Sequence, residues 1–252
     1  MSYFANSVKA GDKIFRGAYT FTRNTNVYCE EEFEVFRDKR EMTHTFTSEQ
    51  ISRVSTGELL TISCIYKINK SFIPISVTVH RSLGTQTVVE DYYYDRIQTK
   101  LNYTFDNGTD KKSISISTSP LFTIATSAAC TSMIYLRSKK VDTSGKNYFS
   151  LLTSSNMWEY EKEPEFKNIA VQKLTTTTEN ITIDGHTVSA TQYKLMEDRP
   201  NEEASSKDKF VAPQDDVRAW LSQHLAIPYA IKDDVGGTRI EIKYLTNLDK
   251  DS

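Results

Sequence analysis

Apolar and polar residues alternate with period two through nearly every segment of this chain, and the pattern breaks at length only once, in the uncharged stretch Pro120–Leu136. A period of two is the repeat of a strand with one face buried and one wetted, so the chain is confined to a mostly antiparallel β architecture. Ile14–Arg23 sets the pattern, with Phe15, Gly17, Tyr19 and Phe21 on one face and Arg16, Thr20 and Thr22 on the other. After a turn at Asn24–Asn26, Val27–Phe36 places Val27, Cys29, Phe33 and Val35 together with Glu31 among them, and Glu30, Glu32 and Glu34 opposite.

Short strands are expected at Met42–Phe46 and Gln50–Val54, then longer ones at Leu59–Ile68, Ile73–Val79, Val88–Tyr94, Gln98–Phe105 and Lys112–Thr118. The Asn107-Gly108 pair between the last two is the strongest hairpin signal, because both residues tolerate the left-handed backbone such a turn requires. β-structure resumes in Tyr148–Thr153, Asn168–Thr177, the hairpin Glu179–Ile183/Val188–Leu195, and the hairpin Pro228–Lys232/Thr238–Leu245. Between them, Glu197–Lys209 reads as a mobile excursion. Gln214–Leu225 is ambiguous: Val217, Trp220, Leu221, His224 and Leu225 follow helical spacing, yet the segment is short enough for a strand.

Leu121–Lys139 abandons alternation. Leu121, Ile124, Ala128 and Tyr135 recur at roughly helical spacing, and Ala125, Ala129 and Ser132 are small enough for close packing, so one principal helix is expected here. A membrane span is excluded by composition, since Pro120 cuts the uncharged run and Ser and Thr fill much of it.

The 252 residues are read as one domain, 1–252. With 31 basic and 33 acidic side chains, no overall field draws the chain to nucleic acid or anionic lipid, and Lys139-Lys140 and Arg37–Arg40 read as solvated faces. The 14 Tyr and 12 Phe call for an aromatic core. Cys29, Cys64 and Cys130 are odd in number and widely spaced, which fits reduced thiols; with no basic and apolar leader at the N-terminus, the expected address is cytoplasmic.

An Ile227-Pro228-Tyr229-Ala230-Ile231 segment, a Gly236-Gly237 turn and the closing Arg239-Ile240-Glu241-Ile242-Lys243-Tyr244-Leu245 strand, together with Val217–Ser222, give this one-helix meander a layout that resembles bacterial lipocalin-like families of unknown function, distantly similar to the lipoprotein carrier fold. The resemblance implies an all-β fold, a long antiparallel meander curled into a half or closed lipocalin-like barrel around an apolar cavity. It also implies a strand at Val217–Ser222, which tips that segment away from helix.

Phosphate-loop, dinucleotide, zinc-protease and nucleophile-elbow signatures are absent from the sequence. His44, His80, His186 and His224 lie in separate segments without ligand spacing, so neither a metal nor a cofactor is expected. The densest functional cluster is Glu90–Arg96: as a strand it puts Glu90, Tyr92 and Tyr94 on one face and Asp91, Tyr93 and Asp95 on the other. Turned inward, the first triplet offers phenols and a carboxyl to a ligand; the plainer alternative is tyrosines packing a sheet with the carboxylates in water. Glu31 either reaches a polar partner inside or marks a bulge that returns it to solvent, the bulge being favoured. Trp158, Trp220 and Tyr229 are candidates for a flat aromatic wall, or for simple core closure. Two functions follow. One is binding of a small apolar or aromatic molecule in the barrel by Glu31, His80, Glu90, Tyr92, Tyr94, Trp158, Trp220 and Tyr229. The other is a cofactor-independent hydratase, isomerase, cyclase or hydrolase using acid–base groups from Glu31, the tyrosine cluster or His80 in the same cavity.

Overall fold

The computed structural model describes residues 11–174, 178–197, 217–222, 226–233 and 235–249. Its first half is a meander: β1 (Asp12–Arg23), β2 (Asn26–Asp38), β3 (Thr43–Arg53), β4 (Leu59–Asn69), β5 (Pro74–Leu83), β6 (Gln86–Asp95), β7 (Lys100–Asp106) and β8 (Lys111–Ser117). The second half contributes β9 (Thr123–Ile124), β10 (Lys146–Thr153), β11 (Glu165–Lys173), β12 (Glu179–Ile183), β13 (His186–Glu197), β14 (Val217–Leu221), β15 (Pro228–Asp233) and β16 (Thr238–Asn247). Among the described residues these form one sheet in the order β8-β7-β6-β5-β4-β3-β2-β1-β16-β15-β14-β13-β11-β10-β9, with β12 paired to β13. Every pairing is antiparallel except the two-residue contact of β9 with β10. The sheet is not closed, since no described ladder joins β8 to β9 or β10.

The fold class is therefore the one the alternation implies, with local corrections. The two short strands expected around Met42–Val54 are a single strand, β3, and Gln214–Leu225 is a strand in its described part, β14. The excursion expected at Glu197–Lys209 lies outside the described residues from position 198 onward. The expected helix Leu121–Lys139 is instead an extended strap carrying β9 and two short 3-10 helices, Ala129–Thr131 and Ile134–Arg137. Its backbone bonds along itself only within the two 3-10 turns, as in Thr131 N–H to the Ala128 carbonyl, and elsewhere to the sheet: Ile124 N–H donates to the Tyr66 hydroxyl at 3.0 Å and Ala125 N–H to the Leu152 carbonyl at 2.8 Å. Helical spacing of apolar residues was real, but it reflects a segment buried along most of its length rather than one amphipathic face.

The strap lies on the concave side of the sheet, where Phe122, Ile124, Ala128, Cys130 and Ile134 join the main core. Met133, Tyr135 and Leu136 build a second cluster with Phe149, Val171, Leu195, Ala219 and Leu221. Tyr19, Tyr66, Tyr103 and Phe105 are fully buried, each contributing about 1.5–3 kcal/mol if valued by transfer of a large apolar side chain. The three tyrosines keep hydrogen-bond partners; Tyr19, for example, donates to the Pro228 carbonyl at 2.6 Å. Cys29, Cys64 and Cys130 are buried, unpaired thiols.

At the β1–β2 ladder, Gly17 is the only residue type that fits. It pairs with Phe33, and a Cβ would sit 2.5 Å from the Phe33 ring and 2.8 Å from the Tyr244 carbonyl oxygen. Gly17→Ala is expected to lower stability by about 1–3 kcal/mol through overpacking, read as a shifted denaturation midpoint with an unchanged urea slope. Thiol titration is expected to find the three cysteines unreactive in the native protein and all three after denaturation without reductant.

Candidate functional site

Two buried carboxylates organise the concave side. The first is Glu31, which points inward on a regular stretch of ladder, opposite Tyr19 on one side and Gln50 on the other. The bulge expected to turn it outward occurs elsewhere, where Phe21 pairs with Cys29 but Thr22 with Val27. Glu31 is fully buried and accepts from Gln50 Nε2 at 2.9 Å, Ala129 N–H at 2.8 Å and Cys130 N–H at 3.2 Å. Gln50 Nε2 also reaches the Ser127 carbonyl at 2.6 Å, so the two side chains together grip the strap. Burial raises the Glu31 carboxyl above its ordinary value, against the opposing pull of these hydrogen bonds. Burial likewise pushes the neighbouring Cys64 thiol up to about 12, which keeps it protonated and unreactive.

The second carboxylate is Glu90. The alternation of β6 turns Glu90, Tyr92 and Tyr94 inward and leaves Asp91 and Tyr93 outside, where Asp91 accepts from Thr78. Glu90 is ion-paired with Arg81 and accepts from Tyr103 Oη at 2.7 Å and Tyr92 Oη at 3.2 Å. Burial, then the adjacent Glu90 charge, raises both phenols well above their ordinary value, so they stay protonated as donors. Asn156 Nδ2 donates to Tyr103 Oη at 3.0 Å, while Asn156 Oδ1 accepts the N–H groups of Glu161 and Lys162. That side chain pins the loop between β10 and β11 to the knot. Aromatic rings surround it: Tyr92 lies 4.9 Å from Tyr103, Tyr94 meets Phe122 edge-on at 4.9 Å, and Tyr160 meets Phe105 at 5.9 Å. Arg81 Nη1 is buried with no hydrogen-bond partner among the described residues.

Above the knot, at the end of the sheet bearing the β5–β6 and β7–β8 turns, lies an open cleft of about 920 Å³ lined by residues including Gln86, Asn107, Lys112, Trp158 and Tyr160. Asn107 fastens it twice: its Oδ1 accepts from Thr109 and Asp110 within the turn, and its Nδ2 donates to the Trp158 carbonyl at 3.1 Å.

Of the residues singled out from the sequence, Glu90, Tyr92 and Tyr94 share one cluster and Trp158 stands at the cleft beside it. Glu31 is committed to the strap, and half-buried Tyr229 packs against the main core. His80 pairs with Ser63 and Val89 on the outer side of the sheet, one step out of phase with inward Val79 and Glu90, so it does not share the interior with the carboxylates. Trp220 also faces away from the core, opposite in phase to buried Ala219 and Leu221; its ring sits under Lys232 Nζ at 5.4 Å and its Nε1 donates to Glu179 at 3.1 Å. The three aromatics thus form no common wall. Arg81, Tyr103 and Asn156 were missed. Continuing the Val77, Val79 phase by one step reaches Arg81, and Tyr103 sits between inward Leu101 and Phe105, so both were visible to alternation. Among the described residues no three His, Cys, Asp or Glu side chains gather to hold a metal, and no helix is long and apolar enough to cross a membrane.

This architecture is β-barrel-like. It is similar to a β-barrel-like protein of the domain of unknown function DUF1849 from Brucella abortus, with a TM-score of 0.56 at 9% identity over 95% of this chain and 100% of that one. A DUF1089 family protein from Pseudomonas aeruginosa matches with a TM-score of 0.48 at 7% identity, over 91% of this chain and 95% of its own. No protein-family model and no curated protein matches the sequence. The first likeness is one of fold.

Glu31→Gln sets an amide NH₂ against N–H donors, and unmet groups there are expected to cost about 1–3 kcal/mol. Because the native carboxyl holds its proton to higher pH than the unfolded chain does, wild type gains stability as pH falls from neutrality through that raised value toward the ordinary carboxylate range. The Gln variant lacks this gain. Urea midpoints at neutral and mildly acidic pH should therefore show the wild-type advantage widening on acidification; a constant gap would contradict the raised carboxyl.

Proposed function

We propose that this chain is a lipocalin-like binding module, one domain long, for a small uncharged molecule that is apolar or partly aromatic and carries a hydrogen-bond acceptor. Its polar anchor is the Arg81–Glu90–Tyr92–Tyr103 knot, with Tyr94 and Trp158 as aromatic neighbours and the cleft at Asn107, Trp158 and Tyr160 as the way in. The observation that carries the reading is Arg81 Nη1, a buried cationic N–H donor left without an acceptor beside aromatic rings. Such a donor costs free energy until something accepts from it, and a carbonyl or ether oxygen does so without adding charge. Arg81 and Glu90 already neutralise one another, which favours an uncharged ligand over an anion or cation. The same pairing argues for binding over acid–base turnover: Glu90 is occupied by one cation and two phenols that hold their protons. Three buried, unpaired thiols suit a reducing compartment and hence the cytoplasm.

Native mass spectrometry of the purified chain tests for a retained molecule, and titration with N-phenyl-1-naphthylamine, an uncharged aromatic fluorophore, tests the site directly. Trp158→Ala and Tyr92→Phe are each expected to weaken that titration about tenfold, equivalent to about 1.4 kcal/mol, while leaving the circular dichroism spectrum unchanged. Wild-type protein that neither retains a molecule nor binds the fluorophore, or variants that bind as wild type does, would overturn the assignment.

A further inference from the structure

The antiparallel order places the β2–β3, β4–β5 and β6–β7 turns side by side at the end of the sheet away from the cleft: Thr43 pairs with Asn69, and Ser76 with Tyr93. The Thr118–Leu121 connection continues this row, with Thr118 N–H bonded to the Thr99 carbonyl. Neighbouring hairpins in such a row stand about 9.5 Å apart, two inter-strand spacings.

Two features concentrate on this end. Arg40, Lys70, Arg96, Lys100 and Lys140 are exposed there, with one acid, Glu41, exposed among them in the Arg40–Met42 turn. Several nearby acids are tied into their own turns: Asp38 Oδ1 accepts from Arg40 and Glu41 N–H, Asp95 Oδ1 from Ile97 and Gln98 N–H, and Asp142 Oδ1 from Ser144 N–H. Separate apolar side chains project between the cations, Met42 at 55% exposure, Ile97 at 96% and Leu121 at 45%. The cleft end is balanced, with Glu58, Asp110, Glu159, Glu161 and Glu163 exposed alongside Arg23, Arg53, Lys111, Lys112 and Lys162. The row of turns carries the greater share of unbalanced cations.

We infer that the row of turns at Arg40–Met42, Lys70, Arg96–Ile97 and Leu121 is a docking surface for an anionic lipid bilayer. The cations meet the headgroup charge, each worth most within a Debye length of the surface, and the isolated apolar tips enter the headgroup boundary. Fingers spaced along a row suit a soft interface that closes around each one. A rigid protein partner would need a matching hole for every tip.

Co-flotation of the full chain with vesicles of phosphatidylcholine mixed with phosphatidylglycerol, against phosphatidylcholine alone, tests this surface independently of the ligand reading, because it monitors the opposite end and needs no ligand. Binding is expected to mixed vesicles only and to fade at high salt. Arg40→Glu/Lys70→Glu/Arg96→Glu together, and Ile97→Ser alone, are each expected to lower partitioning at least about tenfold with unchanged melting temperature, whereas Lys112→Glu at the cleft end leaves it as in wild type. No flotation with mixed vesicles, loss on Lys112→Glu equal to that of the triple variant, Ile97→Ser binding like wild type, or binding to soluble polyglutamate without binding to vesicles would overturn the proposal; the last outcome would point to an acidic protein instead.

Discussion

The grip of Glu31 and Gln50 on the strap is the interaction on which the rest of the structure leans. An open meander of this length exposes a concave apolar face, and the chain covers it with its own residues 121–137. Laying an extended segment on a sheet face with only a two-residue ladder contact leaves backbone donors to be satisfied in the dry interior. Here side chains of the sheet do it: Tyr66 takes the N–H of Ile124, and Glu31 takes those of Ala129 and Cys130. The cost of burying a carboxylate is offset by these donors, and the reward is that both core clusters have a floor. The absence of charge between Phe122 and Leu136 follows, because most of this stretch faces either the sheet or the second cluster.

What the sequence made legible is what local alternation encodes. The strands, the Asn107-Gly108 turn and the inward phase of Glu90, Tyr92 and Tyr94 all follow from a period of two, and so does the outward phase of His80 and Trp220 once the strands are placed. The strap was not legible as such, because a segment covered on several sides shows apolar residues at helical spacing whether or not it is a helix. Glu31 was misjudged for a related reason: its partners are 19, 98 and 99 positions away, and no local pattern reports a donor supplied from that distance. Met42–Val54 looked like two strands because inward Ser48 and Gln50 interrupt the apolar phase, and Gln50 is polar because its partners, Glu31 and Ser127, lie in the neighbouring strand and strap.

The two carboxylates also separate structural from functional polarity. Glu31 meets backbone groups that the fold must satisfy somewhere, so its role closes within the protein. Glu90 belongs to a knot that is neutral in charge but leaves Arg81 Nη1 without an acceptor among the described residues, and the loop above it is held by Asn156, bonded to Tyr103, and by Asn107, bonded to the Trp158 carbonyl. In the proposed reading such a site would recognise through an unmet donor and aromatic surface, whereas general acid–base chemistry asks for a group free to exchange its proton. The phenols of Tyr92 and Tyr103 are held in the protonated form by burial and by the carboxylate they serve, which suits donors of fixed direction.

Net charge conceals the remaining organisation. A total of −2 suggests a chain indifferent to charged surfaces, but an antiparallel meander sends alternate turns to opposite ends, so a modest bias in turn composition becomes a difference between two faces of the molecule. Asp38 and Asp95 each fix their turn with one oxygen, which accepts two backbone N–H groups and holds the neighbouring cation and apolar tip in place. Because the basic turns and the Trp158 cleft sit at opposite ends of the same strands, a molecule held to an anionic surface by the former presents the latter to solvent. The proposed uptake at the cleft and the proposed docking at the turns are then compatible by geometry, with the Glu31-anchored strap lying between the two ends.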